Sequence, residues 1–239
     1  MKLKYLAILL ICSLITACSA NAVSPTDTVK SDNSPDSQAV APVELHVFAA
    51  ASLTETFEKI SKAFEAANPD IKVILTFDSS GTLKTQIQQG ADADLFVSAA
   101  QKQMNQLEAG NEANTENLDC VLKETRVNLL ENQVTLVVPT NNPAGVSSFA
   151  DLGTDKVNKI ALGNKDVPVG QYSEELLTNL GIWDAIQPKV TFGSNVKEVT
   201  TWVKEGVADC GIVYATDAFS AGLEIVDRAA GDLLKTKVI

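Results

Sequence analysis

The stretch VELHVFAAASLTETFEKISKAFEAANP, Val43 to Pro69, decides the fold. Val43–Phe48 is β-rich and reads as a strand. Beyond it Leu53, Phe57, Ile60 and Phe64 recur at helical spacing on one face, until Asn68-Pro69 stops the run. The join is made by Ala49-Ala50-Ala51, small residues that leave the backbone open to close approach. Ser52 and Glu55 have capping-box spacing, which predicts Ser52 at the helix N-cap. A strand running straight into a helix is the repeating unit of an α/β protein.

The same alternation continues on either side of a polar interval. Ile71–Phe77 reads as a strand, a short helix carries Leu83 and Ile87 to Gly90, and Asp94–Val97 is a strand. Gln101–Glu108 is a helix closed by Gly110. After the interval, Val134–Val138 is a strand ending at Pro139. Strand Ile160–Leu162, helix Gly170–Leu180, strand Val190–Phe192, helix Val196–Glu205 and strand Gly211–Tyr214 follow. This predicts two α/β lobes, residues 43–130 and 131–239, each with a largely parallel sheet. No internal sequence repeat accompanies the architectural one.

The N-terminus carries Lys2 and Lys4 before an apolar run from Leu6 to Ile15, too short to span a bilayer, and reads as a signal peptide over residues 1–17. It ends Leu14-Ile15-Thr16-Ala17-Cys18, which resembles a bacterial lipobox with cleavage before Cys18 and lipidation of that residue. Residues 18–42 are rich in Ser, Asp, Asn and Pro and read as the lipidated cysteine and a tether. The tether's root-mean-square reach is roughly 25–30 Å. An exported, lipid-anchored protein on the outer face of the cytoplasmic membrane is the expectation.

With 30 acidic against 19 basic residues and a formal charge of −11, the surface argues against nucleic acid. An anion site on such a chain must work through local donors. Ligands of open α/β sheets bind where strands end and helices begin, and four such junctions have unusual composition: Ala49-Ala50-Ala51-Ser52, Asp78-Ser79-Ser80-Gly81-Thr82, Val167-Pro168-Val169-Gly170 and Gly193-Ser194-Asn195-Val196. Helix starts offer free N–H groups and the positive end of the dipole, so two from each lobe could hold a dianion with no cation.

Taken singly, each junction also has an ordinary reading. Ser at a helix start is common capping chemistry, Tyr214 is a core-edge tyrosine with a solvated hydroxyl, and Lys84 and Lys197 are solvated charges. The lone histidine, His46, lies early in a strand, away from Ser52. With no nucleophile–base pair visible, an enzyme is not expected. No metal-ligand spacing is present, so no cofactor or directly coordinated metal is expected. Cys120 and Cys210 are left either as a disulfide, which an exported protein permits, or as two buried free thiols. A surface-displayed module binding a protein partner fits the anchor and tether, but not the four helix starts.

The junctions resemble those of the periplasmic molybdate-binding proteins of ABC transporters. The similarity runs from about Glu44 to Val238. It is carried by Val47-Phe48-Ala49-Ala50-Ala51-Ser52-Leu53-Thr54, Ser79-Ser80-Gly81-Thr82-Leu83, Ala93–Ala99, Val167–Tyr172 and Gly211–Ala218, in that order and spacing. The resemblance implies a two-lobed type II periplasmic-binding-protein-like fold with the ligand cleft between the lobes. It also implies a monomer that hands molybdate or tungstate to a permease and its ATPase. By it Ser52 and Ser80 supply hydroxyl and backbone N–H, Val169 and Val196 donate backbone N–H, and the Tyr214 hydroxyl completes the shell. Selectivity over sulfate, the alternative oxyanion, would be steric. The family usually has a smaller residue where Val169 stands. It also continues past the position of Ile239 with a strand returning to the first lobe and a final helix, so the first lobe is expected to be incomplete.

Overall fold

The computed structural model of the protein describes residues 42–231, 233, 234 and 238. The expected signal peptide, the lipidated Cys18 and nearly all of the tether lie outside the described residues.

The first lobe is built on a three-stranded parallel sheet of order β2-β1-β3, with β1 Val43–Ala50, β2 Ile71–Asp78 and β3 Leu95–Val97. Its central strand pairs with β2 along its whole length, Val43 opposite Ile71 through Ala50 opposite Asp78. The last four residues of β1 are buried. Helix α1, Thr54–Ala67, follows β1 after a 3-10 turn at Ala51–Leu53; α2 is Ser80–Gln88 and α3 is Gln101–Leu107. The amphipathic α1 buries none of its residues fully. Its Phe57 and Ile60 line a groove of about 670 Å³ with Leu95, Phe96 and the irregular segment carrying Leu122, Val127 and Leu129.

The second lobe contains a five-stranded sheet of order β6-β5-β7-β4-β8: β4 Val134–Val138, β5 Ile160–Gly163, β6 Val190–Gly193, β7 Cys210–Tyr214 and β8 Glu224–Arg228. Strands β5, β6 and β7 are parallel, as expected. Strand β4 is not: it runs antiparallel to both β7 and β8. The register gives the reason. Val134, the first residue of β4, sits opposite Tyr214, the last of β7, so the chain arriving from the first lobe enters the sheet at the end where the parallel strands finish.

Strands β4, β5 and β7 are buried at every position and are flanked by α4, Pro168–Asn179, and α6, Val196–Lys204. A short α5, Trp183–Ile186, and α7, Ala215–Ala221, complete the described helices. Helix α4 sits hard on the end of β5. A Cβ at Gly170 would lie 2.3 Å from the Gly163 carbonyl oxygen, a distance only glycine tolerates. Cys210 opens β7 in this core while Cys120 is exposed in the first lobe, and the two are free thiols, which removes the disulfide alternative.

Candidate functional site

All four junctions are helix starts in the structure, and their capping differs from the simplest reading at one of them. Ser52 lies inside the 3-10 turn, not at an N-cap, and no side chain caps α1; Glu55 is turned elsewhere. At the second junction Ser79 is the N-cap and accepts from Thr82 N–H at 3.1 Å. That leaves Ser80, fully buried, to accept from the Ala99 backbone N–H at 2.9 Å. Ser80 Oγ is thereby oriented by a neighbour that uses only its lone pair, so its own proton remains for another acceptor.

In the second lobe, Val167 precedes α4, with Pro168 in the first turn, and Val169 is buried. Asn195 caps α6, accepting from Lys197 and Glu198 N–H at 3.0 and 3.1 Å, with Val196 the first helical residue. Val169 and Val196 thus stand in first turns, where backbone N–H groups have no acceptor within the helix.

The junctions are tied together in pairs across the cleft. Gly81 N–H, next to Ser80, donates to the Asp166 carbonyl at 3.0 Å, three residues before Val169. Lys197, next to Val196, places its Nζ 2.7 Å from both carboxylate oxygens of Glu55, three residues after Ser52. Tyr214 donates its hydroxyl hydrogen to the Ala99 carbonyl at 3.2 Å. The two peptide groups flanking the Ala99 Cα are therefore both held, one at the Ala99 N–H by Ser80 and the other at the Ala99 C=O by Tyr214. Ser52, Ser98, Ala99 and Tyr214 also line the first-lobe groove; Val169 and Val196 do not.

Tyr214 is buried rather than solvated, packed edge-to-face on Tyr172 with ring centroids 6.4 Å apart. Burial, reinforced by Tyr172 and Asp217, pushes its phenol well above the ordinary value, so it is a hydrogen-bond donor at any physiological pH. Lys197, expected as a solvated charge, is instead partly buried and paired with Glu55 of the other lobe. Burial works against ionised Glu55, yet the hydrogen bond and charge of Lys197 hold its carboxyl below the usual value. Asp217, three residues after Tyr214, has a fully buried carboxylate 3.9 Å from Lys197 Nζ, with no side-chain hydrogen-bond donor and only the Tyr214 backbone acting on it, in a geometry too poor for a well-formed bond. Burial pushes it up to about 7; Lys197 and the Tyr214 backbone oppose that, and Glu55 adds to it. Among the described residues no group of His, Cys, Asp and Glu side chains could hold a metal ion.

Residues 45–238 match the family model for bacterial extracellular solute-binding proteins. The chain belongs to that family. This solute-binding protein is 37% identical over 221 residues to YvgL of Bacillus subtilis, a lipoprotein named as a candidate ABC-transporter substrate-binding protein; the match covers 92% of this chain and 76% of that one. It is 35% identical over 182 residues to the molybdate-binding protein ModA of Haemophilus influenzae, covering 74% and 68%. Among solved structures, the substrate-binding domain of a candidate molybdenum transporter from Clostridium difficile aligns with a TM-score of 0.56 at 37% identity over 82% of both chains. The periplasmic molybdate-binding protein of Azotobacter vinelandii aligns with a TM-score of 0.67 at 22% identity, covering 81% and 82%, a likeness of fold. The architecture is the two-lobed periplasmic binding fold, and the protein is of the ModA-like, ABC-transporter substrate-binding kind.

Proposed function

We propose that this protein captures molybdate, and with it tungstate, in the cleft between residues 43–130 and 131–239 and delivers it to a membrane permease driven by an ATPase subunit. The observation that carries the reading is the pairing of the four helix starts: each first-lobe junction is bonded to a second-lobe junction within three residues of a proposed ligand-binding position. Names borne by relatives at 35% and 37% identity point to the same ligand and transporter class.

On this reading Ser52 and Ser80 donate O–H and N–H from one side, and Val169 and Val196 donate N–H from the other. The Tyr214 hydroxyl completes the shell. Each contact is a hydrogen bond to a charged group, contributing roughly 1.5–3 kcal/mol. A phenol has one proton, so Tyr214 passes it from the Ala99 carbonyl to the anion when the ligand arrives. The two valine positions contribute only main chain, which explains how Val169 is accommodated. Cys18, lipidated after removal of residues 1–17, anchors the protein outside the cytoplasmic membrane, and the tether to residue 42 lets the lobes reach the permease.

Isothermal titration of the purified protein with molybdate, tungstate and sulfate tests this. One-to-one binding of the first two, at least a hundredfold tighter than sulfate, is the expected result. Sulfate binding as tightly as molybdate would replace the ligand class by tetrahedral oxyanions in general, and no binding of any of the three would overturn the proposal.

A further inference from the structure

Lys197 has two carboxylates to choose from, and they belong to different parts of the cleft. Glu55 lies on α1 of the first lobe, and its two oxygens are both 2.7 Å from the ammonium. Asp217 lies on α7 of the second lobe, the same lobe as Lys197, and at 3.9 Å it is near enough to attract but not to hydrogen-bond. A buried carboxylate served only by a poor backbone contact from Tyr214 and a distant ammonium is costly to keep charged. Lys197 also follows Val196 directly, on a helix that packs against the 3-10 turn Ala51–Leu53 that carries Ser52.

We infer that Lys197 is the positioning residue of cleft closure. Held by Glu55, it keeps the N-terminus of α6, and with it the Val196 N–H, against Ser52; when the lobes part it passes to Asp217.

The exchange follows from connectivity. Opening moves Glu55 away with the first lobe, whereas Asp217 travels with Lys197, so the ammonium loses one partner and keeps the other within reach. The Asp217 carboxylate, poorly satisfied in the closed state, then gains the ammonium in the open one. Asp217 thereby favours opening and Glu55 favours closing, and the balance between them sets how readily the cleft releases what it holds. Lys197 and Glu55 remain partly exposed, which limits the strength of their pair. Such a contact biases closure without locking it.

The part played by Val196 rests on the oxyanion reading, but lobe separation does not, so the test begins without any anion. Small-angle scattering of the ligand-free protein and of the Lys197→Met, Glu55→Gln and Asp217→Asn variants reads the radius of gyration. Circular dichroism establishes that each is folded. Lys197→Met and Glu55→Gln should expand, Asp217→Asn should fall below the parent, and the charge-swapped double variant Glu55→Lys with Lys197→Glu should return toward it. Stopped-flow release of molybdate, followed by the fluorescence of Trp183 and Trp202, should be about two- to fivefold faster in the first two variants and slower in Asp217→Asn. Opposite displacement by Glu55→Gln and Asp217→Asn is what a merely structural role would not produce. Equal radii in all variants, or displacement of both in the same direction, would overturn the inference. A protein that binds no molybdate leaves the scattering to decide it alone.

Discussion

The backbone N–H of Gly81 donates to the carbonyl oxygen of Asp166 at 3.0 Å, joining the two lobes by main chain alone. A side chain cannot be accommodated there, since a Cβ on Gly81 would lie 2.4 Å from that oxygen and 2.9 Å from the Asp166 Cα.

Gly81→Ala should therefore hold the cleft ajar. The forced separation costs about 1–3 kcal/mol of closure, comparable to an overpacked core site, so anion affinity should fall roughly 5- to 150-fold. Because the main core cluster lies almost wholly in the second lobe and does not include Gly81, the thermal midpoint should move little. Titration calorimetry and a melting curve on the same sample check both halves.

Ser80→Ala removes a buried hydroxyl that accepts the Ala99 N–H. The orphaned donor should cost about 1–3 kcal/mol of stability, visible in denaturant unfolding, together with a loss of anion affinity. Tyr214→Phe takes the donor from the Ala99 carbonyl, which can find water in the groove it lines. It should therefore weaken anion binding about tenfold with a smaller change in stability.

Asp217 gives a pH dependence of definite sign. Its carboxyl is raised from 3.8 to about 7 in the folded protein, so the fold prefers the protonated form and the unfolded chain releases that proton first. The stabilisation is fully present below about pH 4 and is lost as pH rises through about 7. Against Asp217→Asn, the parent should be of similar stability near pH 4 and less stable at pH 8, by an amount on the order of 2–4 kcal/mol. Urea unfolding at the two pH values measures the difference.

The thiols of Cys120 and Cys210 should differ sharply in reactivity. Burial, with the nearby Asp209 charge, pushes Cys210 up to about 12 although Lys189 opposes it, while Cys120 is exposed. Alkylation at neutral pH followed by peptide mass mapping should modify Cys120 within minutes and Cys210 only after denaturation.

The positions of these groups were legible in the sequence to unequal degrees. The element order was plain because strand and helix periodicities change sharply at Ala49, Asp78, Val167 and Gly193. The helix starts were plain because Ser, Gly, Pro and Asn punctuate them. The reversed β4 was hidden, since strand direction depends on which end of the sheet the chain enters from, and Val134–Val138 reads the same either way. Strand β8 was missed because Glu224, Asp227 and Arg228 give it an edge strand's mixed composition. The role of Glu55 was misread for a related reason. Its spacing from Ser52 suits a capping box, but Lys197, 142 residues away, takes the side chain instead. Local patterns report local partners, and the contacts that close this cleft are all long-range.

The measurement that bears most directly on the account is a crystal structure with tungstate, whose heavy atom is located by its anomalous signal. One strong peak within hydrogen-bonding reach of Ser52, Ser80 and Tyr214 hydroxyls and of Val169 and Val196 N–H is predicted, with the Lys197–Glu55 pair intact beside it. A peak elsewhere, or none in crystals of the folded protein soaked to saturation, would contradict it.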